Sequence, residues 1–297
     1  MKTLLLILLL TFDAGAACVT PSWELSNPPT TGVLQYHNYF SAVRGANVTY
    51  GLYLPPAYYN EPTRVFPVLY WLHGGAGDAT SAEYFASFVD AAIAAGKTAP
   101  FIVVVPNAPQ SFWTDSKPGL VPASPVDTLI ATELIPLVDA SYRTIATRAG
   151  RGIEGFSMGG RGAPRFAFKH WDKFALMSVL AGALQDYAFF QTNQRQVARC
   201  IFGNDEAYFN ATSPQTHAAE NVVAISSQPY SYRILVGDAD LLATYDANLA
   251  FSSALFGLGI THELTVVPGV KHCYPCIYNA RGDAMWPFFN QWASQTP

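Results

Sequence analysis

The chain has 297 residues, half of them hydrophobic, and a formal net charge of −4. Its 17 Lys and Arg form no basic stripe against 21 Asp and Glu, which argues against a nucleic-acid partner, while the apolar content is ample for a sizeable core. A chain of this length and balance is expected to form one α/β domain.

Met1-Lys2 precedes Leu4-Leu5-Leu6-Ile7-Leu8-Leu9-Leu10, a short basic start and an apolar run too short to span a bilayer. With small residues at Ala14-Gly15-Ala16, this reads as a secretory signal peptide cleaved near Ala16 or Ala17, leaving residues 18–297 as a single secreted domain with no stable membrane span. A lipid anchor on Cys18 is disfavoured because Gly15 stands where that signal takes a bulky aliphatic residue. Export makes disulfides the natural reading of Cys18, Cys200, Cys273 and Cys276, which allow three pairings. A zinc reading of Cys273-x-x-Cys276 lacks a second ligand pair. Asn47-Val48-Thr49 and Asn210-Ala211-Thr212 are glycosylation sequons in a eukaryotic source.

Residues 32–53 alternate and are rich in Val, Tyr and Phe, which predicts antiparallel strands opening a sheet. After a break at Leu54-Pro55-Pro56, the run Phe66-Pro67-Val68-Leu69-Tyr70-Trp71-Leu72 has the continuous apolar character of a strand buried on both faces. It ends at His73-Gly74-Gly75-Ala76-Gly77-Asp78, a glycine-rich loop where open α/β sheets place ligands. Residues 84–95 are expected to be a helix, residues 101–106 the next buried strand, and residues 107–124, with Phe112 and Trp113, a loop bordering the site. Residues 128–142 show helical apolar spacing.

Gly155-Phe156-Ser157-Met158-Gly159-Gly160 follows as a nucleophile elbow, a Gly-x-Ser-x-Gly turn between strand and helix that holds the serine in a strained, exposed conformation. The Met158 N–H at the start of the next helix faces the same space, and the N–H of Gly75 is the candidate second donor to an oxyanion. A helical stretch, residues 163–170, and a strand, residues 174–180, come next. Residues 182–231 interrupt the rhythm as an insert capping the pocket, with one helix over 213–223. A strand at 232–237, a helix at 247–258, a strand at 263–267 and a helix at 285–294 complete the chain.

A serine hydroxyl needs a histidine to take its proton and a carboxylate to orient that histidine, and in a strand–helix fold of this kind their chain order is Ser, Asp or Glu, His. His217 falls in a predicted helix and His262 just before a strand. His272 sits in Pro268-Gly269-Val270-Lys271-His272, the loop after the last strand, where a base is expected. Gly237-Asp238-Ala239-Asp240 follows the preceding strand. Asp240 is the preferred acid because three residues beyond Gly237 give it reach toward His272, with Asp238 left to cap the turn. Cys273 and Cys276 are expected to be oxidised, to each other or with one joined to Cys200.

Taken with Tyr53-Leu54-Pro55-Pro56-Ala57-Tyr58 and the strand ending at His73-Gly74-Gly75, these motifs resemble the Putative esterase (esterase D-like) family of α/β-hydrolases over most of the chain from about Thr31. The resemblance implies an α/β-hydrolase fold, a mostly parallel sheet with helices on both faces and a short insert after the sixth strand. It implies an acyl-serine intermediate on Ser157 with His272 and Asp240, and no metal or organic cofactor. Cys273 and Cys276 depart from the family, which often has an aromatic or acidic residue there. Among exported relatives, feruloyl or acetyl esters of plant cell-wall polysaccharide are the first substrate expectation, by analogy. An acyltransferase or siderophore-type esterase would use the same triad. A serine peptidase is disfavoured because no propeller-sized extension precedes the elbow, and a non-catalytic binding protein because all three triad positions are filled. Arg281-Gly282-Asp283 is too short to indicate adhesion.

Overall fold

The computed structural model describes residues 18, 22–75, 77–241 and 244–295; the expected leader, residues 1–17, lies outside them. Eight strands form one sheet: β1 (Gln35–Ser41), β2 (Ala46–Tyr53), β3 (Val68–Leu72), β4 (Ile102–Pro106), β5 (Arg151–Phe156), β6 (Leu176–Leu180), β7 (Ser231–Gly237) and β8 (Glu263–Val267). Their order is β1-β2-β4-β3-β5-β6-β7-β8. The first two form an antiparallel hairpin, β2 joins β4 antiparallel, and every pair from β4 through β3 to β8 is parallel. This is the α/β-hydrolase arrangement that the resemblance implies.

The unbroken apolar runs of the central strands follow from having helices on both faces. Along β3, Val68, Tyr70 and Leu72 enter one core with Ala163 and Phe166, whereas Leu69 and Trp71 enter the other with Phe85, Val89 and Phe289. A parallel sheet buried in this way directs all its strand ends to one rim, and the loops after β3, β5, β7 and β8 meet there.

The expected helices appear with shifted ends. Residues 126–141 are helical, with a wider turn at Ile130–Leu134 that ends two residues before Pro136, whose missing N–H cannot complete the regular ladder. The insert after β6 holds four helices rather than one: Tyr187–Asn193, Arg195–Cys200, Glu206–Ala211 and Pro214–Ser226. Three begin at a side chain that accepts a first-turn N–H, Asp186, Asp205 and Ser213. The insert is fastened by a Cys18–Cys200 disulfide across 182 residues and by a 2.6 Å Lys117–Asp205 ion pair. Cys273 and Cys276 bond to each other, so the alternative bridge from that pair to Cys200 is not formed. A further helix, Tyr274–Arg281, begins within this pair, with Cys273 as its cap and Pro275 and Cys276 in its first turn. Among the described residues no helix is long and apolar enough to cross a membrane.

Candidate active site

β5 ends at Phe156 and the helix Met158–Lys169 begins two residues later, so the chain must turn within Ser157. It does so at φ 57 and ψ −114, a region that a residue with a side chain occupies only when its surroundings enforce it. Three glycines let those surroundings close in. A Cβ on Gly155 would lie 2.2 Å from the Gly159 carbonyl oxygen, one on Gly159 1.9 Å from that of Leu72, and one on Gly160 2.6 Å from Gly182 Cα. The Ser157 N–H donates to Leu180 (3.0 Å) and its carbonyl accepts from Ala183 (2.8 Å), which locks the turn to the end of β6. Met158 opens the helix, so its N–H belongs to the first-turn donors that lack an acceptor within the helix, at the positive end of the dipole.

The loops after β7 and β8 deliver the other two groups. The Ser157 hydroxyl lies 2.7 Å from His272 Nε2, and His272 Nδ1 lies 2.6 Å from Asp240 Oδ2. The geometry assigns one tautomer, with Nδ1–H donating to Asp240 and Nε2 accepting from the serine. The Asp240 side chain is fully shielded and that of His272 is 18% exposed, so the carboxylate is desolvated while the imidazole edge meets incoming molecules. The two loops touch closely enough that a Cβ on Gly237 would fall 1.9 Å from the Val270 carbonyl oxygen. Asp238 accepts from the Gly269 N–H at 2.6 Å and braces that junction, as a turn-capping residue does. His262 bonds Ser252 and His217 faces Glu220, so neither joins the chain of contacts.

The His73 loop is held mainly by side chains. Burial pushes the His73 imidazole down to about 4, so the ring is neutral, and its Nδ1–H donates to the Gly74 carbonyl (2.9 Å) while Nε2 accepts from the Ala108 N–H (3.3 Å). Trp113 donates from Nε1 to the His73 carbonyl (3.1 Å), and Asp78 caps the short turn Ala79–Ala82. Gly74 brings the loop to the serine, since a Cβ there would stand 3.5 Å from Ser157 Cβ. Gly75 is exposed, and a Cβ on it would meet only Gln110, at 3.8 Å. The loop at residues 107–124 therefore borders the site through Gln110, whereas Phe112 and Trp113 point inward and are buried. Beyond Gln110 a mostly apolar cavity of about 170 Å³ is lined by Pro109, Val197, Ile201 and the Cys18–Cys200 pair.

Sequence reasoning did not single out the charged residues beneath the elbow. Asp127 is 1% exposed and accepts from Arg165 (2.8 Å), His170 (2.6 Å) and Lys169. Burial alone would raise its carboxyl; Arg165, His170 and Lys169 outweigh burial and hold it well below the usual carboxylate range. Arg165 also donates to the Trp113 carbonyl (3.0 Å), joining the elbow helix to the loop that supports His73. No motif marks such a hub, because its members are far apart in sequence.

Residues 41–254, most of the chain, match the family model described as Putative esterase. The chain belongs to the Putative esterase family. The matched stretch contains Ser157 and Asp240, while His272 follows it and is placed by the structure. Esterase Rv1288 of Mycobacterium tuberculosis is 33% identical over 258 residues, 80% of this chain and 55% of that protein, so the chain spans about half the length of this curated relative. An endo-1,4-beta-xylanase/feruloyl esterase of Xylanibacter ruminicola is 29% identical over 157 residues, 51% of this chain and 22% of that protein. Among solved structures, a ferulic acid esterase superposes with a TM-score of 0.71 at 23% identity, covering 87% of this chain and 98% of its own. A fluorophosphonate-binding serine hydrolase of Staphylococcus aureus does so with the same TM-score at 22% identity, covering 87% and 99%. At such identities the structural likeness speaks for the α/β-hydrolase fold of this esterase-family chain.

Proposed function

We propose that this member of the Putative esterase family is a secreted serine carboxylic-ester hydrolase acting through an acyl-Ser157 intermediate. The observation that carries the reading is the unbroken chain Ser157 Oγ, His272 Nε2, His272 Nδ1, Asp240 Oδ2 at 2.7 and 2.6 Å, built on a strained elbow. In this reading Ser157 Oγ attacks the ester carbonyl carbon as His272 Nε2 takes its proton, and the carbonyl electron pair moves onto oxygen as an oxyanion. The N–H groups of Met158 and Gly75 receive that charge. Collapse of the tetrahedral intermediate expels the alkoxide, which leaves as the alcohol with the proton from His272. Water then enters, gives a proton to the same nitrogen as its oxygen bonds the acyl carbon, and the second tetrahedral intermediate breaks the bond to Ser157 Oγ, which takes that proton back from His272 as the acid departs. Asp240 fixes the tautomer and stabilises the imidazolium.

For substrate, the reading is feruloyl or acetyl esters of plant cell-wall polysaccharide. The named activity of the Xylanibacter relative supports it. Residues 1–17 serve as leader and 18–297 as the secreted domain, a placement in keeping with two disulfides and an oxidising compartment. The test is hydrolysis of methyl ferulate, p-nitrophenyl acetate and p-nitrophenyl octanoate by the wild type and three variants. Ser157→Ala is expected to lower kcat by at least about 10³-fold with the fold intact, and Asp240→Asn by up to roughly 10⁴-fold against a minor effect of Asp238→Asn. A tenth of wild-type turnover in Ser157→Ala would remove the serine from the mechanism, and equal losses at 238 and 240 would reassign the acid.

A further inference from the structure

The elements that carry Ser157, Asp240 and His272 meet a second time inside the sheet, at a buried carboxylate that the chemistry above does not use. Glu154 is on β5, three residues before Ser157; Arg233 is on β7, seven before Asp240; Tyr278 is in the helix Tyr274–Arg281, six after His272. Ser178, on β6, stands between the strands, because the parallel register pairs Glu154 with Ser178 and Ser178 with Arg233. All four are at most 2% exposed.

Their contacts form one network. The Tyr278 hydroxyl donates to Glu154 Oε2 (2.8 Å) and lies 3.1 Å from Oε1. The Ser178 hydroxyl donates to Oε1 (2.9 Å) and accepts from Arg233 Nε (2.9 Å), and Arg233 Nη2 lies 3.6 Å from Glu154 Oε1. Arg233 Nη1 donates to the Met285 carbonyl (3.0 Å), with its guanidinium over Phe288 and Phe289. The surrounding core is apolar, with Trp71, Phe85 and Trp286. Burial pushes the Glu154 carboxyl above its ordinary range despite Arg233 and the two hydroxyls.

A buried charge pair is a poor source of stability compared with apolar side chains of the same volume, but its directional bonds specify one arrangement of the elements it joins. Here those elements each carry one member of the Ser–His–Asp chain. Among the described residues the helix behind His272 has few other directional ties: Tyr274 donates to the Ser81 carbonyl at 2.7 Å, Asn279 donates to the Tyr84 hydroxyl at 3.3 Å, and the Cys273–Cys276 bond closes its first turn. Phe156, next to Ser157, packs on both His272 (4.6 Å between rings) and Tyr274 (5.5 Å), so a shift of this helix relative to β5 is passed to the imidazole.

We propose that Glu154, Tyr278 and Arg233 are positioning residues that set the helix after His272 against β5 and β7, and through it the distance between the His272 imidazole and the Ser157 hydroxyl. The proposal rests on the catalytic reading of Ser157, His272 and Asp240. Tyr278→Phe removes one hydroxyl and leaves the ring in place; Glu154→Gln keeps the shape and removes the charge. The measurements are kcat and KM on a p-nitrophenyl ester, the rate of covalent labelling of Ser157 by a fluorophosphonate, and thermal unfolding. Since about 1 Å of misplacement costs roughly 10²-fold in rate, Tyr278→Phe is expected to lower kcat and the labelling rate together by about tenfold, with KM within about twofold of wild type. Wild-type kcat and labelling with only a lower melting temperature, or a change confined to KM, would overturn the proposal. Should Glu154→Gln fail to fold, Tyr278→Phe decides alone. A wild-type protein that neither turns over esters nor labels at Ser157 would overturn the catalytic reading, and this proposal with it.

Discussion

The two turns that face each other across the candidate site are held by different forces. At the elbow, backbone packs on backbone: a Cβ on Gly155, Gly159 or Gly160 would lie less than 3 Å from a neighbouring backbone atom, and Ser157 is held at a φ of 57 by this packing. At the His73 loop the backbone is open at Gly75, and the shape depends on side chains, a neutral His73, Trp113 and the Asp78 cap. The two meet at Gly159, where a Cβ would fall 1.9 Å from the Leu72 carbonyl oxygen and 2.9 Å from that of His73, at the point where β3 runs into the His73 loop. One proposed oxyanion donor, Met158, is therefore placed by steric exclusion and the other, Gly75, by hydrogen bonds. Steric placement fails as a step when a carbon is added, whereas hydrogen-bonded placement weakens in stages and depends on protonation.

The sharpest way to break this contrast is Gly159→Ala. The methyl group would meet the Leu72 and His73 carbonyl oxygens, neither of which is the end of a flexible side chain, so a loss of at least about 3 kcal/mol is expected, together with nearly all activity. Denaturant unfolding checks it, and a variant of wild-type stability would show that the elbow has slack.

The next effect is expected at His73. The folded protein resists protonation of this ring down to about 4, while the unfolded chain takes the proton near its ordinary value of 6.5. The unfolded state therefore binds more protons between those values, so stability is complete above about 6.5 and falls as the pH drops toward 4, by an amount on the order of 3 kcal/mol. His217, buried beside Arg165, is likewise pushed down to about 4 and adds to the same window. Urea unfolding at several pH values is expected to show this slope, and His73→Phe to reduce it while costing about 1–3 kcal/mol for the unpaired Ala108 N–H and Gly74 carbonyl. An unchanged slope in His73→Phe would place the titrating group elsewhere.

The smallest effect is expected at Gly75 itself. A Cβ at this position has room among the protein's own atoms, meeting only Gln110 at 3.8 Å. Gly75→Ala is expected to change stability by less than about 0.5 kcal/mol, the range of a surface substitution, and kcat by only a few-fold. A loss as large as that of Gly159→Ala would erase the difference between the two turns.

How much of this was legible in the chain follows from the range of each interaction. The buried strands, the elbow and the order Ser157, Asp240, His272 can be read from short segments, because hydrophobic runs and tight turns are local consequences of local residues. The choice of Asp240 over Asp238 as the partner of His272 also followed from reach along one turn, and the structure places them in that way. The short helices of the insert escaped notice because each spans only six or seven residues and rests on caps and long-range packing rather than on an apolar period. The joining of Cys18 to Cys200 over 182 residues, the neutral state of His73, the gathering of Arg165, Lys169 and His170 on Asp127, and the meeting of Glu154 with Tyr278 were decided only by the tertiary structure. Each of these depends on which distant groups are brought within about 3 Å in a space from which water is excluded, and that distance is a property of the folded sheet and its helices, with no trace in the spacing of the residues along the chain.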